Sequence, residues 1–258
     1  MHSFRVKIDQ LNNLVIGGFV VTLSIETSDC TGGVALIRDG HPVAEVVLTS
    51  KETHSRRLMA TIKWLMQGLG FDWSEIGLLA VSLGPGSFTG LRIGLSTAKG
   101  LAFALGLPLI GVPTLDALAS HVVACKGDFV CPVQDARKSQ VYTALYQVGN
   151  SGELERIRPY QAISPKDLPA FVPHGQRVLL LGGGLLLYQD IINGFGDRAV
   201  VVPSHMAHVR AASVGIMAER RWQKDGRRDD LKTLKPIYVR PSEAEAKRTT
   251  LKEQESIL

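Results

Sequence analysis

The order of predicted elements limits this chain more than any single motif. Alternating and β-branched runs read as strands at Val20–Ile25, Val34–Ile37 and Pro42–Leu48. From His54, Leu58, Ile62, Leu65 and Leu69 follow at steps of four, four, three and four, which is helical spacing. A strand near Leu78–Leu83, a helix to Leu105, a short strand at Pro108–Val112 and a helix from Thr114 to about Ala124 come next. Then the order nearly repeats. Val130–Val133, Val141–Val148 and Leu154–Ile157 read as a second meander, and a short capped helix begins at Ser164. Val178–Leu181 reads as a strand, Leu185–Ile192 as a helix, Ala199–Val202 as a strand and Val209–Lys224 as the last long helix. No residue-level repeat accompanies this order. Two meanders, each extended by strands that helices connect, predict two mixed sheets flanked by helices, an α/β fold in two similar halves. The halves are drawn at residues 20–125 and 126–258, the second with a fraying polar tail. A ligand of such a fold belongs in the cleft between them.

The densest stretch is Val81-Ser-Leu-Gly-Pro-Gly-Ser-Phe-Thr-Gly-Leu-Arg-Ile-Gly94. Gly84-Pro85-Gly86 breaks the strand, and Ser87 or Thr89 can cap the helix with a hydroxyl. In that helix Gly90, Gly94, Ala98 and Ala102 recur every fourth residue. Such a small-residue stripe lets another element approach closely. Leucines occupy other sides, and only Arg92 and Lys99 carry charge, so the helix is either deep in its own fold or keeps a face for a second protein.

Composition adds bounds. The chain is 45% hydrophobic, 6% aromatic and 21% charged, an ordinary globular balance with enough apolar residues for a sizeable core. Its net charge of +5 permits a weakly basic surface, and no aromatic-plus-arginine RNA motif is present. Cys30, Cys125 and Cys131 form no CxxC pair, which suits free thiols in a reducing cytoplasm and argues against a disulfide framework or a zinc site. Residues 1–19 read as an upstream extension, because Asp9, Gln10, Asn12 and Asn13 interrupt any signal-peptide apolar region. No apolar run reaches the length of a membrane span, so no membrane partner is expected.

Two turns are candidate nucleotide contacts. Glu26-Thr27-Ser28 follows the first strand and precedes Gly32-Gly33, where hydroxyls and backbone N–H groups can meet a phosphate; the alternative is a plain tight turn. Gly182-Gly183-Gly184 lies between a strand and a helix but lacks GxGxxG spacing and a P-loop ending. Ser87 is not in a GxSxG elbow, His54 has Leu58 four residues on, and His205–His208 has no acidic neighbour to complete a metal set. Asp135-Ala136-Arg137-Lys138 is a charged turn between strands. No catalytic or metal-binding set is apparent in local sequence.

Several segments together resemble one family. Leu23–Ser28, His54–Leu58, the Gly84–Gly94 motif, Asp135-Ala136-Arg137 and Pro236-Ile-Tyr-Val-Arg240 resemble the bacterial TsaB (YeaZ) proteins, subunits of the tRNA N6-threonylcarbamoyladenosine machinery. The match runs over nearly all of the chain from Val20. The resemblance implies a duplicated actin/Hsp70-like (ribonuclease H-like) two-lobed fold. It implies a noncatalytic scaffold or activator, without a cofactor of its own, although ATP enters at the level of the complex. The partners implied are the paralogue TsaD, which carries the metal and transfers the threonylcarbamoyl group from threonylcarbamoyl-AMP to N6 of adenosine 37 of tRNA, and the ATPase TsaE. A homodimer when alone and contact with tRNA through the complex are also implied. The interface expected from the family's helical bundle is His54, Leu58, Ile62, Leu65, Gly90, Leu91, Gly94, Ala98 and Ala102. Glu26 stands where many relatives have Asp. Two other functions stay open: an ATP-dependent phosphotransferase using Glu26, Thr27, Ser28, Gly182, Gly183 and Gly184, and a glycoprotein peptidase, which rests only on old naming of relatives and lacks an HExxH.

Overall fold

A computed structural model describes residues 21–49 and 54–240. The upstream extension, the tail from residue 241 and the side chain of His54 lie outside the described residues. The strands are β1 (Val21–Glu26), β2 (Thr31–Arg38), β3 (His41–Thr49), β4 (Ile76–Ser82), β5 (Leu109–Val112), β6 (Phe129–Arg137), β7 (Gln140–Val148), β8 (Leu154–Ile163), β9 (Val178–Leu181) and β10 (Ala199–Val201). The helices are α1 (His54–Leu69), α2 (Phe88–Leu105), α3 (Thr114–Ala119), α4 (Leu168–Phe171), α5 (Gly184–Leu187), α6 (Asp190–Asn193) and α7 (Ala211–Asp225). They form two five-stranded sheets of order β3-β2-β1-β4-β5 and β8-β7-β6-β9-β10. In each, an antiparallel meander is joined through its first strand to two parallel strands. This is the duplicated arrangement of two mixed sheets expected from the element order.

Strand alternation assigns each side chain to a layer. Val21, Leu23 and Ile25 of β1 join Ile76, Leu79 and Val81 of β4 in a core roofed by α1 and α2. On the second sheet, Cys131, Val133, Val178 and Leu180 face the short helices α4 to α6. The opposite faces meet in one shared core between the sheets, where Leu78 and Ile110 pack with Val130, Leu179, Leu115 of α3 and Val214 of α7.

That middle layer corrects the boundary drawn at residue 125. Helix α7 packs on β1, β2 and β4 of the first sheet. The middle-facing residues of β1 are polar: Thr22 Oγ1 donates to Glu219 Oε1 (2.7 Å) and Ser24 Oγ donates to the Ala211 carbonyl (2.7 Å). Fully buried hydroxyls need such partners, and α7 supplies them. The segment after α7 stays on the first sheet as well, with the Asp229 N–H donating to the Leu109 carbonyl and the Ile237 N–H to that of Leu83. It lies along the otherwise open edge beside β5.

Local chemistry explains most helix ends. Ser87 Oγ caps α2 by accepting from the Gly90 N–H, and Gly106 closes the helix at φ 68°. Gly226 closes α7 at φ 63°. Two predicted helices are shorter than expected. Helix α3 stops at Ala119, and Thr114 hydrogen-bonds to Gly84 through both its hydroxyl (2.9 Å) and its N–H (2.8 Å) in place of capping. The helix predicted over 185–192 breaks at Tyr188 (φ −125°, ψ 64°) into α5 and α6.

Candidate functional site

The turn after β1 is buried: Glu26, Thr27 and Ser28 are each at most 1% exposed. Glu26 Oε1 accepts from the Ser28 N–H, while Glu26 Oε2 and Ser28 Oγ have no hydrogen-bond partner among the described residues. Burial pushes the Glu26 carboxyl up to about 7, against the hydrogen bond from the Ser28 N–H that favours the charged form. Thr27 Oγ1 donates to the Gly90 carbonyl (2.8 Å). The hydroxyls expected to meet a phosphate therefore point into the fold.

The small-residue stripe of α2 explains the turn's position. A Cβ added at Gly94 comes 2.1 Å from Thr27 Oγ1, and one at Gly90 comes 2.0 Å from the Thr27 carbonyl oxygen. The close approach predicted from the stripe is real, but the element that approaches is the chain's own β1 turn. The expected partner interface is corrected accordingly. Leu58, Ile62, Leu65, Leu91, Ala98 and Ala102 are 0–6% exposed within the first lobe, and Gly90 and Gly94 are buried with them. The outward surfaces of α1 and α2 are different residues: Met59 (37% exposed), Trp64 (66%) and Phe103 (83%). Helical spacing alone marked the inward row; the outward aromatics give no periodic signal.

The two lobes also come close beside the second glycine turn. The Gly182–Gly184 turn follows β9, and Gly182 (φ 124°) lies so close to the Val133 carbonyl that a Cβ there comes within 2.1 Å of the oxygen. Gly183 faces the other lobe: a Cβ there sits 3.6 Å from His208 Cε1 and 3.7 Å from Asp29 Oδ2. His208 Nδ1 and Asp29 Oδ2 are themselves 3.4 Å apart. Burial raises the Asp29 pKa, but the His208 contact and the Cys30 N–H outweigh it and leave the carboxyl below its usual range. The Asp29–His208 pair was missed because its members are 179 positions apart. His205 sits in the preceding one-turn 3₁₀ helix, Ser204–Met206. Among the described residues, no group of three His, Cys, Asp or Glu side chains is placed to hold a metal ion.

Two motif segments also converge. Phe88, at the start of α2, stacks on Tyr238 (centroids 4.9 Å apart), Arg92 covers the Phe88 ring at 3.8 Å, and Arg92 Nε donates to Tyr238 Oη (3.2 Å). The same tail segment ends at Arg240, which donates to the Ala136 carbonyl and to Gln140 Oε1 (2.9 Å). In the β6–β7 turn Arg137 pairs with Asp135 (3.4 Å) at the surface.

Compared with known proteins, the chain is 34% identical over 227 residues to the tRNA threonylcarbamoyladenosine biosynthesis protein TsaB of Bacillus subtilis, a match covering 87% of this chain and 96% of that relative. The chain belongs to the TsaB (YeaZ) family. The TsaB protein of Escherichia coli is 38% identical over 131 residues, 50% of this chain and 56% of that relative. The solved structure of YeaZ from Pseudomonas aeruginosa superposes with a TM-score of 0.71 at 25% identity, covering 85% of this chain and 99% of that one. A family model described as "TsaD: tRNA N6-adenosine threonylcarbamoyltransferase" also matches residues 43–248. The TsaB likeness thus takes in both lobes and the Gly84–Gly94 motif that joins α2 to the β1 turn.

Proposed function

We propose that the chain is a noncatalytic scaffold and activator in the pathway its relatives are named for, formation of threonylcarbamoyladenosine in tRNA. Its partners in this reading are a TsaD-type transferase, which does the chemistry, and the ATPase TsaE. The observation that carries the proposal is the outward face of α1 and α2. Met59, Trp64 and Phe103 are large apolar side chains on two helices whose inner faces are fully used by the core. Exposed aromatic residues on a rigid support are typical anchors of a protein interface. Docking by this face leaves the buried stripe intact, and a second copy can occupy the same face when the partner is absent.

The geometry lends less to the phosphotransferase reading. A phosphate needs exposed donors, whereas Thr27 Oγ1 is committed to Gly90 and the Ser28 side chain is buried.

The test pairs binding with activity. The wild-type chain and its Trp64→Asp/Phe103→Asp variant are mixed with the transferase subunit, and association is followed by light scattering. Threonylcarbamoylation of a tRNA transcript is measured in parallel with the remaining components. The variant is expected to fold normally, to associate at least about tenfold more weakly and to support proportionately less modification. Full association by the variant, or full modification without this chain, overturns the proposal.

A further inference from the structure

The chain's positive charge is concentrated in one place. Residues 220–235 hold seven Lys and Arg side chains against three Asp, a net of +4 in a chain of +5. A mixed-sign solvated face pairs its charges, whereas among the described residues this segment pairs only Arg221 with Asp229. Asp229 is held by Arg221 (2.6 Å) and by the Gly111 N–H (2.7 Å). Asp225 accepts from the Arg227 N–H (2.9 Å). Asp230 accepts from the Lys232 N–H (2.9 Å) and from the Thr233 hydroxyl (3.3 Å). Each carboxylate is thus engaged by backbone N–H groups, by the Thr233 hydroxyl or by Arg221, and by none of the other cations of the segment. The six remaining cations, Arg220, Lys224, Arg227, Arg228, Lys232 and Lys235, are exposed, and among the described residues none of their side chains forms an ion pair or hydrogen bond.

The support under these cations is fixed. Arg220 and Lys224 are four apart on α7 and so stand side by side. Beyond α7, Leu231, Leu234 and Ile237 pack into the first lobe's core, and Lys99 Nζ donates to the Leu234 carbonyl (2.6 Å). From residue 220 to 237 no large apolar side chain is exposed, so the surface has nothing to insert into a bilayer. Six exposed cations without side-chain partners on a firmly packed segment, without apolar anchors, suit a phosphate backbone.

We infer that residues 220–235 form an RNA-binding edge that contacts the tRNA backbone directly. The inference rests on the tRNA-modification reading above, but not on the α1–α2 docking face, and the two are measured separately. Binding of an unmodified tRNA transcript is followed by fluorescence anisotropy across a salt series. The full-length chain is used both alone and bound to the transferase subunit. Arg227→Glu/Arg228→Glu is compared with Lys126→Glu/Lys166→Glu, which makes the same change in net charge at exposed sites elsewhere. The first variant is expected to lose about tenfold or more in affinity and to flatten the salt slope by about two, with association to the transferase subunit unchanged. The control variant is expected to stay within about twofold of wild type. Equal RNA affinity and slope for wild type and the Arg227/Arg228 variant overturn the inference. Equal losses in both variants do so too, because they report net charge alone, as does binding confined to anionic phospholipid vesicles. Loss of transferase association with RNA binding intact counts against the docking face, not against this edge.

Discussion

Thr27 shows how much can depend on one side chain's surroundings. Its carbonyl oxygen fills the space that Gly90 leaves open on α2, and its hydroxyl fills the space at Gly94. Gly94→Ala is therefore expected to destabilise the fold by about 1–3 kcal/mol, because its Cβ overlaps that hydroxyl. Thr27→Ala combined with Gly94→Ala is expected to recover part of the loss, read as a coupling energy from urea denaturation of the four cycle members. Substitutions in the stripe thus report on folding and cannot by themselves test docking. Glu26 makes a second prediction. Its folded-state pKa is raised from 4.5 to about 7, so the folded state binds its proton more tightly than the unfolded chain does. The resulting stability is fully present below about pH 4.5 and is lost as pH rises through about 7, an upper bound of about 3 kcal/mol from this group. Glu26→Gln is expected to flatten that dependence and to stabilise the protein at pH 8. Parallel pH profiles of melting temperature for the two proteins would contradict this.

Helices α1 and α2 each have two jobs, and their two faces answer to different forces. The inner faces were legible because burial against a sheet demands apolar residues at helical spacing, which Leu58, Ile62 and Leu65 display. The outer faces carry Met59, Trp64 and Phe103 at positions that folding leaves unconstrained. Single substitutions Trp64→Ala and Phe103→Ala are accordingly expected to change the urea midpoint little while weakening subunit association, with about 1–2 kcal/mol for the tryptophan. Helix α7 is a different case. It was legible as the last long helix, but nothing local showed which sheet it would cover. Thr22 and Glu219 are 197 positions apart, and their hydrogen bond is what seats α7 on the first sheet.

At the level of the whole molecule, the chain crosses into the second sheet and then returns. Removing the chain from residue 211 onward takes from Thr22 its Glu219 partner and from Ser24 its Ala211 partner, and uncovers the middle face of β1, β2 and β4. A chain ending at Arg210 is expected to be insoluble or to lack cooperative thermal unfolding, whereas a boundary at residue 125 would have left the first lobe self-sufficient. Circular dichroism melts of the truncated chain check this.

Elements, their order and the duplicated topology were readable directly, because strand alternation, helical spacing and Gly, Pro and Ser punctuation are encoded within a dozen residues of one another. The tertiary structure alone decided that Gly90 and Gly94 of the small-residue stripe meet Thr27. It also decided that α7 returns to the first sheet and that Asp29 meets His208 beside Gly183. Each of these depends on groups brought together across the chain by burial and hydrogen-bond satisfaction, and separation along the sequence carries no trace of such meetings.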